Sequence, residues 1–411
     1  MASGAAIRRV RSHRTWIWFG FWLCTRALIV AGVLVWASRH PGLQDVTRYE
    51  RWSSILSGHG EFPGGNGWQY PPGAGLLMLV PRPFPIGFGE AWVGLMVLVD
   101  FVGFLILARL ARRSGKEAGV WVWLLGIPLL GIIPLLRFDL VPTVIAIAAL
   151  VVIHRRPGWF GALAGLGAAI KVWPVLLLLG EWDRRRLVRA ALAAAAVIVF
   201  LLAISIIGFG NATRFISHGG GRGLQEEAVA TVPWQIGQIV SGDPYSREVR
   251  FGAWEIVGPG TSAVTALLKM LTFAAVAGAA VWWWYRGRAI RAGRKELAED
   301  TVSRDFVFAV VLLVVVASPV LSPQYMIWLL GLAAVVLTST STSLRRPAWI
   351  VLGAAALSSH ELRSSGVILL RDLALLFAAA DAATTMVQLL RPHPTTLGRC
   401  ATGDGRIDPR S

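Results

Sequence analysis

The chain has 411 residues, 55% of them hydrophobic and only 15% charged, with 19 tryptophans and a formal charge of +17. Apolar windows near the ~20 residues that a helix needs to cross a bilayer recur along it, which excludes an ordinary soluble enzyme and reads as a polytopic membrane protein. In that class arginine and lysine gather in cytoplasmic loops facing anionic lipid, so the basic excess reports topology and gives no reason to expect nucleic acid.

Arg8, Arg9, Arg11 and Arg14 precede an apolar run from Trp16 to Ala37. That run is longer than a signal h-region and no small-residue cleavage site closes it, so it reads as a first span with the N-terminus inside. An external stretch, 38–89, follows, in which Gly73 to Val80 is too short to cross and re-enters or lies on the surface. Spans are expected from about Glu90 to Ala111, Val120 to Leu136 and Leu140 to Ile153; Arg112, Arg113 and Lys116, then Arg155 and Arg156, mark the inner ends. The next stretch, "GWFGALAGLGAAIKVWPVLLLLGEWDRRR", is flanked by arginines on both sides. The charge rule admits it only as a hairpin that dips in and returns.

A span from about Leu187 to Phe209 leads to a second external stretch, 210–258, and a span ending in "VWWWYRGR" returns to Arg286, Arg288, Arg291, Arg294 and Lys295. Two further pairs, about 306–338 and 347–390, complete about ten spans plus the hairpin. Residues 1–391 are thus expected to form one all-α integral membrane domain, with a polar, disordered cytoplasmic tail over 392–411. There is no internal repeat, so the two-fold architecture of many secondary transporters has no support. Cys24 and Cys400 are too few and too far apart for a disulfide framework or a metal site.

The long loops carry acids, amides and rings, and the cytoplasmic ones are short and basic. "DVTRY" (Asp45 to Tyr49) followed by "QYPP" (Gln69 to Pro72), "RFDLVP" (Arg137 to Pro142), "GLGAAIKVWP" (Gly165 to Pro174) and "SPVLSPQYMIWLL" (Ser318 to Leu330) together resemble glycosyltransferase family 87 over roughly residues 40–335. The resemblance implies a GT-C type bundle. It also implies transfer of a sugar from a polyprenyl-phosphate donor to a glycolipid or glycan acceptor at the outer face of the plasma membrane, with actinobacterial mannosyltransferases as the best-known members. Many members carry Trp and His at the turn that here reads Gln324-Tyr325, a departure that bears on the acceptor.

On its own chemistry, attack by an acceptor hydroxyl needs its proton accepted as the bond forms. Polyprenyl phosphate leaves as an anion, so one carboxylate suffices where a glycosidase needs two. The resemblance puts Asp45 in that role; the bland alternative is a solvated or capping acid. Tyr49, one turn on, can share its face. Trp52, Trp68 and Tyr70 fit either interfacial anchoring or sugar stacking.

Lys171 is costly at mid-bilayer and must face protein or a polar cavity. Thirteen residues after Gly158 carry it about 20 Å toward the outer leaflet, to meet a donor phosphate or to pair with Asp139. Arg222, Gln225, Glu226 and Glu227 offer a phosphate fork and sugar hydrogen-bond acceptors, or a solvated loop helix. Gln324 and Tyr325 lie at an outer turn where a lipid-linked sugar would rest. The donor- or acceptor-binding set is therefore Tyr49, Tyr70, Asp139, Lys171, Arg222, Gln225, Glu227, Gln324 and Tyr325.

Arg26 and Asp100 lie at similar depth in their spans and are expected to pair. No metal or cofactor is expected: no two external histidines have ligand spacing, and no D-x-D pair or nucleotide-binding motif occurs. The rival functions are an arabinofuranosyl or other polyprenyl-phosphate-sugar transferase, a lipid-linked-sugar flippase, and a subunit without chemistry.

Overall fold

The structure is a computed structural model that describes residues 2–39, 44–64, 68–218, 221–242, 245–359 and 364–391; the 392–411 tail and Cys400 lie outside them. Helices α1 (Ala2–Arg39), α2 (Gln44–His59), α3 (Pro72–Leu79) and α4 (Phe88–Ser114) come first, then α5 (Ala118–Leu129), α6 (Ile133–Leu136), α7 (Leu140–Val152) and α8 (Pro157–Ile170). A 3-10 helix, Trp173–Gly180, leads to α9 (Arg184–Gly208), α10 (Phe215–His218) and α11 (Val232–Ser241). A two-stranded antiparallel hairpin, β1 (Arg247–Arg250) and β2 (Ala253–Ile256), precedes α12 (Thr261–Arg291), α13 (Asp300–Val316), α14 (Tyr325–Leu337), α15 (Arg345–Ala356) and α16 (Ser365–Leu390).

The protein is an all-α polytopic bundle, and the expected passages are present in order. Among the described residues five helices, α1, α4, α9, α12 and α16, are long and apolar enough to cross a membrane. The helices α5, α7, α8 and α14, between 12 and 14 residues each, reach only about 20 Å. They pack inside the long ones, where α14 buries all but its first residue. The shortfall has a consequence for function. Three of these short helices stop or start at polar residues, α7 just after Asp139, α8 just before Lys171 and α14 just after Gln324, and those breaks converge.

The segment after α7 is a hairpin. Its two ends are tied together by His154, whose Nδ1 lies 2.8 Å from Glu181 Oε2 and whose Nε2 lies 2.7 Å from Ser303 Oγ. Arg286 donates to the same Ser303 hydroxyl at 2.7 Å and to the carbonyls of Leu297 and Gly180. His154 takes φ +63°, a left-handed conformation that a side chain adopts at a cost, and its two ring bonds hold it there. The ascending arm is sealed by close helix approach. A Cβ on Gly161 or Gly165 would meet the carbonyl oxygens of Ala190 and Ala194 at 1.9 and 2.5 Å, a small-xxx-small contact between α8 and α9. Lys171, at the tip, is extended, and Pro174 starts the returning arm.

Other expectations are refined. The Val120–Leu136 passage is two pieces, because Pro128 and a left-handed Gly131 break it after α5. The short apolar piece at 73–80 re-enters as α3 and abuts the hairpin tip, where Gly73 leaves room for the Ala169 carbonyl. Arg26 and Asp100 do pair, Nε to Oδ2 at 2.8 Å and Nη2 to Oδ1 at 3.0 Å, with Trp22 donating to the same carboxylate. Asp381 of α16 lies 3.5 Å from Arg346 of α15.

The two long loops meet at one end of the bundle: Phe62 N–H donates to Gly210 O at 2.8 Å and Gly210 N–H to Gly60 O at 2.7 Å. The arginine clusters that close α4 and follow α7 and α12 lie at the other end by connectivity. If that end is cytoplasmic, a cysteine at exposed Ser57 reacts with an impermeant thiol reagent in intact cells, and one at exposed Ala292 reacts only after lysis. Ser303 is buried in the hairpin clamp, so a cysteine there would stay silent on either side. Labelling of Ala292→Cys but not Ser57→Cys in intact cells would invert the orientation.

Candidate active site

Asp45 lies in the first turn of α2, where an acid complements the helix N-terminus. Its side chain is 20% exposed, one oxygen bound by Arg137 Nη2 at 2.7 Å, the other 3.7 Å from Arg48 Nη1. Arg137 ends α6 in an extended conformation and, with Phe138, forms the turn into α7. That turn also positions Asp139, which is buried and accepts from Trp328 Nε1 at 2.7 Å.

Lys171 reaches Asp139 from the hairpin tip, with Nζ 2.5 Å from Oδ1. Aromatic faces surround the ammonium, with Trp328, Tyr325 and Phe138 at 4.7, 4.9 and 5.3 Å from their centroids. Trp173 and Tyr325 both stack on Trp328, with ring centroids 5.3 and 4.0 Å away. The α8 break, the α7 start and the α14 start therefore deliver one ion pair inside one aromatic box. Arg222 hydrogen-bonds Gln69 and lies within electrostatic reach of Tyr70, Lys171 and Tyr325. The cluster thus gathers Arg48, Arg137, Lys171 and Arg222 around two carboxylates, Asp45 and Asp139, and keeps a net positive field suited to an anionic ligand.

Tyr49 and Tyr70 belong to its wall. Tyr49 is 1% exposed, packed 4.8 Å from Trp92 and 5.7 Å from Phe138, and its hydroxyl finds no hydrogen-bond partner among the described residues. Burial pushes the Tyr49 hydroxyl well above the usual phenol range and raises Tyr70 as well. Both stay protonated, so they are donors and cannot serve as bases. Trp52 and Trp68 are buried against Tyr70 and each other, which rules out lipid-facing anchoring for them.

The rest of the second loop is placed differently. Gln225 accepts from Ser322 at 3.2 Å, and its N–H bonds Pro319 O, so it pins the loop to the turn before α14. Glu227 is held by Arg371 at 2.9 Å, and Glu226 by Arg247 and Tyr245. These residues build the loop; Arg222 is the one that reaches the cluster. Gln324 is buried at the α14 start, one residue from Tyr325.

Arg137, Arg48, Gln69 and Arg371 received no role from sequence. Arg137 was visible inside "RFDLVP", but nothing in its spacing points across more than ninety positions to Asp45. Among the described residues no group of three or more His, Cys, Asp or Glu side chains gathers as a metal site would.

The Lys171–Asp139 pair predicts a stability pattern. Lys171→Met leaves a buried carboxylate without its cation and is expected to cost on the order of 3–5 kcal/mol. Lys171→Met/Asp139→Asn removes both charges, keeps an acceptor for Trp328 and recovers most of that loss. Thermal unfolding in detergent reads the difference, and a single variant as stable as wild type would deny the pair any structural weight.

No curated protein and no solved structure matches the chain. The sequence model of glycosyltransferase family 87 matches residues 68–319, more than half of the chain. The matched stretch contains Tyr70, Asp139, Lys171, Arg222, Gln225 and Glu227 and leaves Asp45, Tyr49, Gln324 and Tyr325 outside it. This membrane protein belongs to glycosyltransferase family 87.

Proposed function

We propose that this glycosyltransferase moves a sugar, mannose foremost, from a polyprenyl-phosphate donor to a glycolipid or glycan acceptor of the cell envelope, at the outer face of the plasma membrane and with inversion. The observation that carries the reading is Asp45: a partly exposed carboxylate with one oxygen fixed by Arg137, at the edge of a cluster of cations. The acceptor oxygen attacks the anomeric carbon as the bond from that carbon to the phosphate oxygen breaks. Polyprenyl phosphate departs with the bonding pair, and the hydroxyl proton passes to the Asp45 oxygen that Arg137 leaves open. Lys171, Arg137 and Arg222 stabilise the phosphate as its charge grows, a preorganised electrostatic role.

The placement favours a lipid-borne donor. Lys171 lies at the tip of a hairpin inside the bundle, at the depth where the short helices end, so a phosphate on a polyprenyl chain meets it without leaving the membrane surface. Pairing with Asp139 holds the ammonium in place until the phosphate arrives. Tyr70, Tyr325 and Gln324 line the approach and offer rings and an amide to the sugar.

Asp45→Asn keeps shape and hydrogen bonding but removes the proton acceptor. It is expected to leave folding and donor binding near normal while lowering turnover by about 10²-fold or more. Glu50, exposed on another face of α2, is the control, and Glu50→Gln costs much less. The assay is transfer by purified protein from polyprenyl-phosphate-mannose to membrane-lipid acceptors, with polyprenyl-phosphate-arabinofuranose in parallel. Near-wild-type transfer by Asp45→Asn removes the base assignment, whereas activity with the arabinose donor alone keeps the mechanism and sinks the mannosyl reading. Donor affinity of the folded Lys171→Met/Asp139→Asn variant is expected to stay weak; normal affinity would leave Lys171 a purely structural cation.

A further inference from the structure

The helix of the second long loop, α11, runs from Val232 to Ser241 and carries no charged residue. Its Ile236, Ile239 and Val240 are 45, 52 and 81% exposed. Spaced by three and four, they share one face with Val232. A helix beside water turns such a face toward the protein. This one turns it outward.

The opposite face carries the amides and packs inward. Gln235 is buried, and its Nε2 donates to the Glu226 carbonyl at 3.4 Å and to the Tyr245 hydroxyl at 3.1 Å. Gln238 accepts from Ser365 Oγ, at the start of α16, at 2.5 Å. Trp234, on the same side, packs against Leu224, Ala228 and Leu268. The helix is thus amphipathic in reverse, with polar side chains bonded to the protein and apolar ones facing out. Burying amides while leaving isoleucine and valine in water is unfavourable on both counts. The arrangement is favourable where hydrocarbon lies outside.

The neighbours of α11 set its level. At ten residues it is about 15 Å long and cannot cross a bilayer. Trp234 meets Leu268 of α12, where that helix begins to expose Leu267, Met270 and Leu271. On α16 the exposed apolar side chains begin with Leu370 and Leu373, one to two turns beyond the Ser365 contact. Both are helices long and apolar enough to span. Lys269, exposed at the same level, suits the headgroup depth, since a lysine stem lies along apolar surface while its ammonium extends to water.

We infer that α11 lies in the headgroup–acyl boundary of the leaflet on the side of the two long loops, with Ile236, Ile239 and Val240 set into the hydrocarbon. The second loop is therefore anchored in the bilayer, and α11 is its anchor. Gln235 bonds the Glu226 carbonyl, and Glu226 follows Arg222 by four residues. The anchor thus sets the height of the segment that brings Arg222 to the cation cluster. It concerns lipid contact alone and stands whether or not the transferase reading does.

Depth-dependent quenching tests it on the purified full chain in phosphatidylcholine nanodiscs. In a Cys24→Ser/Cys400→Ser background, bimane is attached at Val240→Cys, and at Ser57→Cys, an exposed position on α2, as the water-facing control. Phosphatidylcholine with a nitroxide high on one acyl chain quenches from within the bilayer, and iodide quenches from water. The Val240 probe is expected to emit at shorter wavelength than the Ser57 probe and to be quenched by the lipid nitroxide but hardly by iodide. The Ser57 probe should show the reverse. Ile236→Cys repeats the measurement at a second position on the same face, and thermal unfolding of each labelled protein should match wild type.

Quenching of both α11 probes by iodide and not by lipid would place the helix in water and overturn the proposal. Protection of both from either quencher would place protein over the face, a second copy in such a preparation, and would overturn it as well. Unlabelled Ile239→Ser/Val240→Ser gives an independent reading, because it sets hydroxyls where the hydrocarbon offers no partner. Its unfolding temperature in nanodiscs is expected to fall by a few degrees. An unchanged or higher value, the behaviour of side chains facing water, would deny the lipid contact.

Discussion

An ammonium group buried among apolar helices must have an anion and must have a reason to be there, and Lys171 organises the bundle around both requirements. Asp139 supplies the counter-charge at 2.5 Å, and meeting it obliges α8 to stop, the chain to turn at Pro174 and α7 to begin beside it. The aromatic box of Phe138, Tyr325 and Trp328 shields the pair, and Trp328 also donates to Asp139. A buried ion pair of this kind is a weak source of net stability, because desolvation offsets much of the attraction. Its retention makes more sense as preorganisation: a cation held in position at the point where the start of α7, the end of α8 and the start of α14 meet.

That arrangement needs the hairpin to be anchored from below. His154, Glu181, Ser303 and Arg286 close its base with every connection drawn from a different element: the end of α7, the end of the 3-10 arm, α13 and α12. Trp283 adds a bond to the Glu181 carbonyl at 2.6 Å. The small-residue seam between α8 and α9 fixes the ascending arm laterally, since neither Gly161 nor Gly165 could carry a side chain without pushing α9 away. Tip position is thus determined by interactions some 20 Å away, the length of α8.

At the opposite end the two long loops fold into one another before either faces solvent. The Glu227–Arg371–Asp372 cluster ties the second loop to α16, and Gln225 ties it to the turn before α14. This leaves Arg222 projecting toward Gln69, Tyr70 and Tyr325, and it leaves Asp45 on the rim with Arg137 behind it. The candidate site is thus made of one half from the bundle and one half from the loops.

The passages of the bundle were legible in the sequence, because a bilayer imposes length and apolarity on every span and lipid charge sorts arginines to one side. For the same reason the hairpin could be read from arginines at both of its ends, and Arg26 could be matched to Asp100 by depth. Asp45, Lys171 and Arg222 stood out because charge and polarity in such a chain are expensive. What sequence could not decide is which charges meet. Arg137 to Asp45, Arg371 to Glu227 and Arg222 to Gln69 join residues scores of positions apart, and no local period encodes a contact made only when helices from different passages pack. Nor could it separate Arg222, which reaches the cluster, from its neighbours Gln225 and Glu227, which hold the loop. All three are polar residues in one stretch, and only the three-dimensional path of that stretch turns one toward the site and the others toward the scaffold.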